Sequence, residues 1–551
     1  LNNETLTING ALVHEVSGNL QLQGENLTIQ AGVASLLKSH SNPPIKKASQ
    51  YGINQGIFHL QDGRSFLLHQ VIDKKTLQAV AQTIIAFEGN NQTLITDFEL
   101  TPTLDKDKQW RSPETFNLYP VDWQLTIPAL DLKIHIQAET PEQEIITLLQ
   151  PMQLHWQGHC NFLGHINHQP VQGSAFMARY QFQTITNVKD FFASVSDEVY
   201  KQIETLIPLH PTLAEWRNLI SVKTDEHILE GIDFDQLAES LIKPIREITD
   251  RQGKAWRAYI ILACCNAVGG DFRPYLPLLT VELIHVGSLI VDDVEDKSLL
   301  RRGGPACHLL YGEPIAINAG ELAYFLPQVL FNRLFRDLPK DKVCDIYEHY
   351  FDGIHAAHAG QALDLAGANH LVKKVLADEI PPSAFKAAVL AIHRLKSGAP
   401  FELLSARTGA ILGNGTPAQI DALGNYIESL GTAFQIIDDV LNLRGFKGET
   451  KTLGEDLMAG KITFPVAQAA ELMPLADFKT LIERISSKPQ EKEEVNALIQ
   501  LLENAGAIQA SADFAANMIE ESWLKLNPLI PDSFTKITLR VFGRYIIERH
   551  Y

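Results

Sequence analysis

The stretch HVGSLIVDDVEDKSLLRRGGPACH, residues 285–308, decides how this chain is read. It continues an apolar run with helical spacing and ends in four acids within five residues, Asp292, Asp293, Glu295 and Asp296. On a helix Asp292 and Asp296 share one face, with Asp293 beside them. Like charges gathered at the end of an apolar helix are costly unless a cation sits among them. Carboxylate oxygens favour a hard ion such as Mg²⁺, which keeps waters and takes substrate phosphates as further ligands. A second acid pair, Asp438-Asp439 with Asn442, closes another apolar run, GTAFQIIDDVLN (431–442). Two facing helices with such clusters can hold a diphosphate through several metal ions. A lone acidic run is read about as readily as a solvated helix end. The cations shift that balance. Arg301-Arg302-Gly303-Gly304 follows the first cluster, Lys396, Lys451 and Lys461 bracket the second, and Gly253-Lys254-Ala255-Trp256-Arg257 lies upstream. Arg and Lys clamp phosphate oxygens, so metal-binding acids plus a separate set of cations point to two diphosphates.

At 551 residues the chain is long enough for two or more domains, and 45% hydrophobic with 20% charged residues is a globular composition. Lys+Arg 47 against Asp+Glu 65 gives −18, which argues against nucleic acid or anionic membrane surfaces as the main partner. No unbroken run of 18 apolar residues occurs, so no spanning helix is expected. The opening LNNETLTING has neither a basic patch nor an apolar core, so no secretory signal is expected, and the missing initiator Met suggests a trimmed start. Cys160, Cys264, Cys265, Cys307 and Cys344 show no CxxC spacing, which suits a reducing, cytoplasmic setting.

Outward from the acid motif, the period of the chain changes. Residues 1–187 hold short alternating runs such as QGIFHL, RSFLLHQV and LKIHIQA, separated by Gly, Asn, Asp and Pro. They read as a β-sandwich or barrel. Residues 188–224 read as a helical connector, and 225–551 as an all-α domain.

The helical half resembles the trans-isoprenyl diphosphate synthases (polyprenyl synthetases), most closely those of eukaryotic geranylgeranyl type. The resemblance rests on GKAWR (253–257), the 285–308 stretch, GQALDL (360–365), LKSG (395–398), FQIIDDVLN (434–442) and KTLGEDLMAGKITFP (451–465). It implies an all-α isoprenoid synthase bundle that condenses isopentenyl diphosphate with allylic diphosphates, using three Mg²⁺ ions, as a homodimer through the helical domain. It further implies that Asp292, Asp293 and Asp296 bind Mg²⁺ on the allylic diphosphate, and that Asp438 and Asp439 bind the third ion. By the same resemblance Lys254, Arg257, His285 and Arg302 hold isopentenyl diphosphate. Arg301, Lys396, Ser397, Gln435, Lys451 and Lys461 hold the allylic diphosphate, and Gln361 and Asp364 form a hydrogen-bonding shell. Three departures are small: Ser397 stands for Thr, Ala258 for Pro, and Asn442 for the last Asp of the second motif.

Product length in this family follows the depth of the tail pocket. Gly287 and Ser288 are small where an aromatic would close it early, and the resemblance puts Tyr324, Phe325 and His358 at a deeper floor. A geranylgeranyl product is expected, with farnesyl as the competitor. Tyr324 and Phe325 fit ordinary core packing equally well.

In the β half, WRSPETFNLYPVDWQLTIPALDLKIHI (110–136) and HWQGHCNFLGHINHQPVQGSAFMARYQF (155–182) resemble the lipocalin-like carotenoid 1,2-hydratase family. This implies a barrel around an apolar ligand and a role in binding, hydrating or cyclising the prenyl product. Gln157 and Ala178 stand where that family carries Glu. Protonating an alkene needs a placed acid, for which Asp62, Asp97 and Asp122 are candidates, each more readily a turn or surface residue. His155, His159, His165 and His168 with Cys160 fit no common zinc spacing. Two rival readings are a farnesyl diphosphate synthase with a non-catalytic β scaffold and a class I terpene cyclase. The cyclase would need a different second metal motif and no second diphosphate site.

Overall fold

The protein, seen in a computed structural model, is described over residues 5–22, 25–42, 50–89, 91–103, 105, 108–147, 153–180, 188–220, 226–445 and 453–548, with backbone pairing alone for 5–42. The chain divides into two compact units, Leu1–Thr186 and Asn187–Tyr551.

The first unit is built on an antiparallel half-barrel. Its strands lie in the order Asn91–Ile95, Ala79–Glu88, Ser65–Asp73, Tyr51–Leu60, Gln169–Tyr180, Gln153–Ile166, Leu132–Ala138, Asp122–Ile127 and Glu99–Pro102. Glu144–Thr147 pairs off this path with Gln153–Ile166, and Thr5–Leu22 with Glu25–Asn42 makes a separate hairpin. The alternation read from the sequence is the cause. Along Leu132–Ala138, Leu132, Ile134 and Ile136 are buried while Lys133, His135 and Gln137 are exposed, as a period of two requires. The inward set from neighbouring strands, including Phe58, Trp123, Trp156 and Phe162, forms one core, with the two indoles 5.3 Å apart. Each such fully buried side chain contributes roughly 1.5–3 kcal/mol.

The second unit is helical. Its first helix, Val188–Leu206, packs within that unit: Phe191 meets Tyr259 at 5.1 Å and Phe534 at 5.8 Å, and Phe192 meets Phe542 at 5.2 Å. Residues 221–225 of the expected connector lie outside the described residues. Arg273–Glu295 is long and apolar enough to cross a membrane by length and composition alone. Leu278, Leu279, Leu283, Val286 and Ile290 are buried along it, so it is a core element of the bundle, ending in the aspartates. Two long helices, Lys340–Ala366 and Pro417–Arg444, carry the other motifs, the second opened by a capping box between Thr416 and Gln419. Pro382–His393 runs on through two π-helical turns, Arg394–Gly398 and Glu402–Arg407, on either side of Pro400. Proline removes an N–H and crowds the preceding turn, so the helix widens around it. Lys396 and Ser397 sit in the widened part.

Candidate active site

The Glu282–Glu295 helix delivers its acids to two environments. Asp293 is completely buried and takes Arg301: the Arg301 Nε lies 3.0 Å from both carboxylate oxygens, and Nη2 donates to Oδ1 as well. Asp292 is half-buried, 4.0 Å from Arg301 and 3.8 Å from Lys396. Gln361 donates to Asp292 at 2.9 Å and to Glu295 at 2.7 Å. Burial, and then the charge of Asp292, push the Asp296 carboxyl above the usual carboxylate range.

Asp364 gathers the lysines. It accepts from Lys396 at 2.7 Å and from Lys461 at 3.0 Å, from residues 32 and 97 positions away. Burial opposes its ionisation, but the two ammonium groups hold it below the ordinary range. A close helix approach makes the meeting possible: a Cβ on Gly360 would stand 2.3 Å from the Lys396 backbone nitrogen.

At the second acid motif, Asp439 accepts from the Phe464 backbone N–H at 2.8 Å and lies 2.9 Å from His393 Nε2. Asn442, where the resemblance led one to look for Asp, accepts from the Asp456 N–H at 3.3 Å and so ties down the Glu455–Ala459 helix. Asp438 and Gln435 are half-buried on the same helix and Ser397 is buried nearby in sequence to Lys396. Lys451 lies outside the described residues.

A separate cationic group surrounds Glu282. Arg302 lies 3.8 Å from this buried carboxylate. Burial raises the Glu282 pKa, against the pull of Arg257 and Arg302. The Arg257 guanidinium rests on Trp256, Phe401 and Phe434, at 4.4, 5.1 and 5.0 Å, and Lys254 lies over Tyr545 at 5.6 Å. His285 is held neutral: burial, then Arg257 and Arg302, lower its pKa well below the usual value.

Gly287 is small because the Glu313–Ala323 helix presses on it: a Cβ there would stand 2.5 Å from the Gly320 carbonyl oxygen. The site is filled by backbone and is not an open wall. Ser288 turns its hydroxyl to the His285 carbonyl at 2.8 Å. Tyr324 and His358 meet edge to face at 5.2 Å. Phe325 is 44% exposed.

The donor set fits magnesium. Among the described residues no three acid, histidine or cysteine side chains converge on one point. Asp292 and Asp296 supply carboxylates one helical turn apart, and burial, with the nearby Asp292 charge second, raises the Asp296 pKa, a cost that a bound cation would offset. One or two carboxylates completed by phosphate oxygens is the arrangement Mg²⁺ accepts.

In the β unit the three candidate acids are surface groups: Asp62 pairs with Arg64, Asp122 with His135 at 2.6 Å, and Asp97 is exposed. His159 pairs with Glu139 and His168 with Asp131, while His155 stacks on Tyr180. The carboxylate that sequence reading missed is Glu144. It accepts from Ser112, Thr115 and Tyr119 hydroxyls at 2.5, 2.6 and 2.6 Å, and burial raises its pKa. The hint was the SPET and NLY segments, whose hydroxyls had no assigned partner. Glu144 itself is one of three glutamates in ETPEQE.

The polyprenyl synthetase family model matches residues 238–502, and an AttH-like model matches 13–178. A short chain isoprenyl diphosphate synthase of Methanothermobacter thermautotrophicus is 30% identical over 333 residues, 60% of this chain and 97% of that protein. A geranylgeranyl diphosphate synthase of Methanosarcina mazei is 30% identical over 316 residues, 57% of this chain and 91% of that protein. The geranylgeranyl pyrophosphate synthetase structure from Pyrococcus horikoshii superposes with a TM-score of 0.53 at 28% identity, covering 65% of this chain and 98% of that one. With paired acid motifs and two groups of cations on a bundle of this fold, the chain belongs to the polyprenyl synthetase family, the trans-isoprenyl diphosphate synthases.

Proposed function

We propose that the helical half condenses isopentenyl diphosphate with allylic diphosphates to linear geranylgeranyl diphosphate, and that the β half binds the prenyl chain. The observation that carries the first part is the meeting of Lys396 and Lys461 at Asp364, with Lys396 3.8 Å from Asp292. Those lysines, with Ser397, Gln435 and Lys451, take the allylic diphosphate, while Asp364 orients Lys396 and Lys461 and Gln361 orients Asp292. Arg301 positions Asp293 and adds charge beside Asp292. Arg302, Arg257, Lys254 and neutral His285 take isopentenyl diphosphate, His285 as an uncharged donor. Asp292 and Asp296 would hold magnesium, and Asp438 and Asp439 a third ion, which would supply charge neutralisation for the departing diphosphate. The chain's own contribution is to hold the allylic carbon and the isopentenyl double bond in register while cationic side chains stabilise the leaving group.

The geranylgeranyl assignment is supported by the named activity of the M. mazei relative and by Ser288, which is small. For the β half, Glu144 has its oxygens occupied by three hydroxyls, and Gln157 and Ala178 replace acids. Both favour binding over alkene protonation. Ile317, Phe325 and Phe351 remain exposed on or beside the Glu313–Ala323 and Lys340–Ala366 helices, which supports a homodimer through the helical half. Five free thiols suit a reducing, cytoplasmic compartment.

The test is incubation of the purified chain with Mg²⁺, isopentenyl diphosphate and, separately, dimethylallyl, geranyl and farnesyl diphosphates, read by mass spectrometry before and after phosphatase. Linear geranylgeranyl diphosphate is expected from all three. Arrest at farnesyl diphosphate would establish the shorter synthase. A cyclic hydrocarbon formed without isopentenyl diphosphate would establish a cyclase.

A further inference from the structure

Arg302 is seated by several separate parts of the helical unit. Its Nη1 donates to the Ile248 carbonyl at 3.1 Å and to the Tyr200 hydroxyl at 3.4 Å. Its Nη2 lies 3.8 Å from Glu282, and Gly253 packs flat against it, where a Cβ would stand 2.8 Å from Nη2. The Arg302 backbone is left-handed, at φ +49°, a conformation that a side-chain-bearing residue keeps only when its surroundings hold it.

The Val188–Leu206 helix reaches this region three times along one face. Tyr200 is buried against Arg302. One turn earlier, the Ser196 hydroxyl donates to the Gly253 carbonyl at 2.6 Å, fixing the turn that leads to Lys254. One turn earlier again, Phe192 lies 6.2 Å from the Tyr545 ring, over which Lys254 rests. Residues 192, 196 and 200 recur at helical spacing, and all three precede the segment that the family model matches, 238–502.

We propose that the Phe192–Ser196–Tyr200 face is a positioning device for the isopentenyl diphosphate group, aiming Arg302 and the Gly253–Lys254 turn before substrate arrives. None of the three touches substrate; they act through cations. The inference rests on the assignment of Arg302 and Lys254 to isopentenyl diphosphate made above.

The test compares Y200F, S196A, S196T and R302Q in the full chain, with KM measured separately for isopentenyl and geranyl diphosphates and Tm measured alongside. Losing one hydrogen bond to a charged group or to a turn carbonyl predicts a rise of about five- to tenfold in KM for isopentenyl diphosphate in Y200F and S196A. KM for geranyl diphosphate stays unchanged, and S196T, which keeps the hydroxyl, restores the wild-type value. If R302Q raises KM for isopentenyl diphosphate while Y200F and S196A leave it alone, the positioning role is overturned and the site assignment stands. If R302Q instead raises KM for geranyl diphosphate, the assignment fails and takes the inference with it. Equal rises in both KM values for Y200F and S196A, or a fall in Tm with neither KM moved, would mark the face as ordinary packing and overturn the proposal.

Discussion

Asp292 and Asp293 are adjacent in sequence and differ in everything that matters to chemistry. Asp293 is wholly buried, and Arg301 compensates its charge. Asp292 faces Lys396 and Gln361. Removing the charge of Asp293 leaves the Arg301 guanidinium without its closest partner, so D293N should lower stability by about 2–4 kcal/mol, read as a shift in the urea midpoint. D292N should leave that midpoint nearly unmoved while lowering kcat by on the order of 10²-fold or more. Equal stability losses in the two variants would show that the division of labour is mistaken. The acid types were legible in the sequence because Asp-rich helix ends are conspicuous. The partner of each acid was not, since Arg301 is brought back to Asp293 past left-handed Lys297 and on a tight hairpin, Leu300–Arg301 against Gly304–Pro305, that turns at left-handed Arg302 and Gly303.

At the scale of elements, the crossing of Glu282–Glu295 with Glu313–Ala323 is set by Gly287 and Gly320. Sequence reasoning took Gly287 as an opening in the tail pocket, because smallness looks the same whether the space beside it is empty or filled by another helix. With the Gly320 carbonyl 2.5 Å from a built Cβ, G287A must push the helices apart, at a cost of about 1–3 kcal/mol. Thermal melting should report the loss, and a variant as stable as the parent would contradict the close crossing. In the sheet, strand periodicity was readable and register was not. Pairing sets Gln157 opposite Ala178, Ala178 opposite Gln55 and Gln55 opposite His69. The two positions where the related family carries acids are thus cross-strand neighbours. Glu144 joins a different pair of segments, the strand at 144–147 and the loop at 112–119, through three hydroxyls. No spacing rule relates positions so far apart.

At the scale of the whole molecule, the two halves have different periods and form different units. The match to the Methanothermobacter synthase spans 97% of that protein over 333 residues, and the synthase family model falls on residues 238–502, within the helical half. Residues 187–551 expressed by themselves should therefore retain chain elongation, with kcat within about twofold of the full chain, since no active-site residue assigned above comes from the β unit. The same truncation should lose retention of a radiolabelled prenyl product in gel filtration. Loss of elongation would show that the β half contributes to catalysis.

Composition, hydropathy period and motif order were enough to establish from the sequence alone a β half, a helical half and a chemistry of two diphosphates. Local patterns of charge and polarity report backbone period and the residue types that a reaction needs. Tertiary structure alone decided that Asp364 holds Lys396 and Lys461, that Asp293 belongs to Arg301, that Gly287 meets a helix, and that Glu144 collects three hydroxyls. Each of these joins residues through space, and the distance between them is set by helix crossing and strand register, quantities that a one-dimensional pattern does not contain.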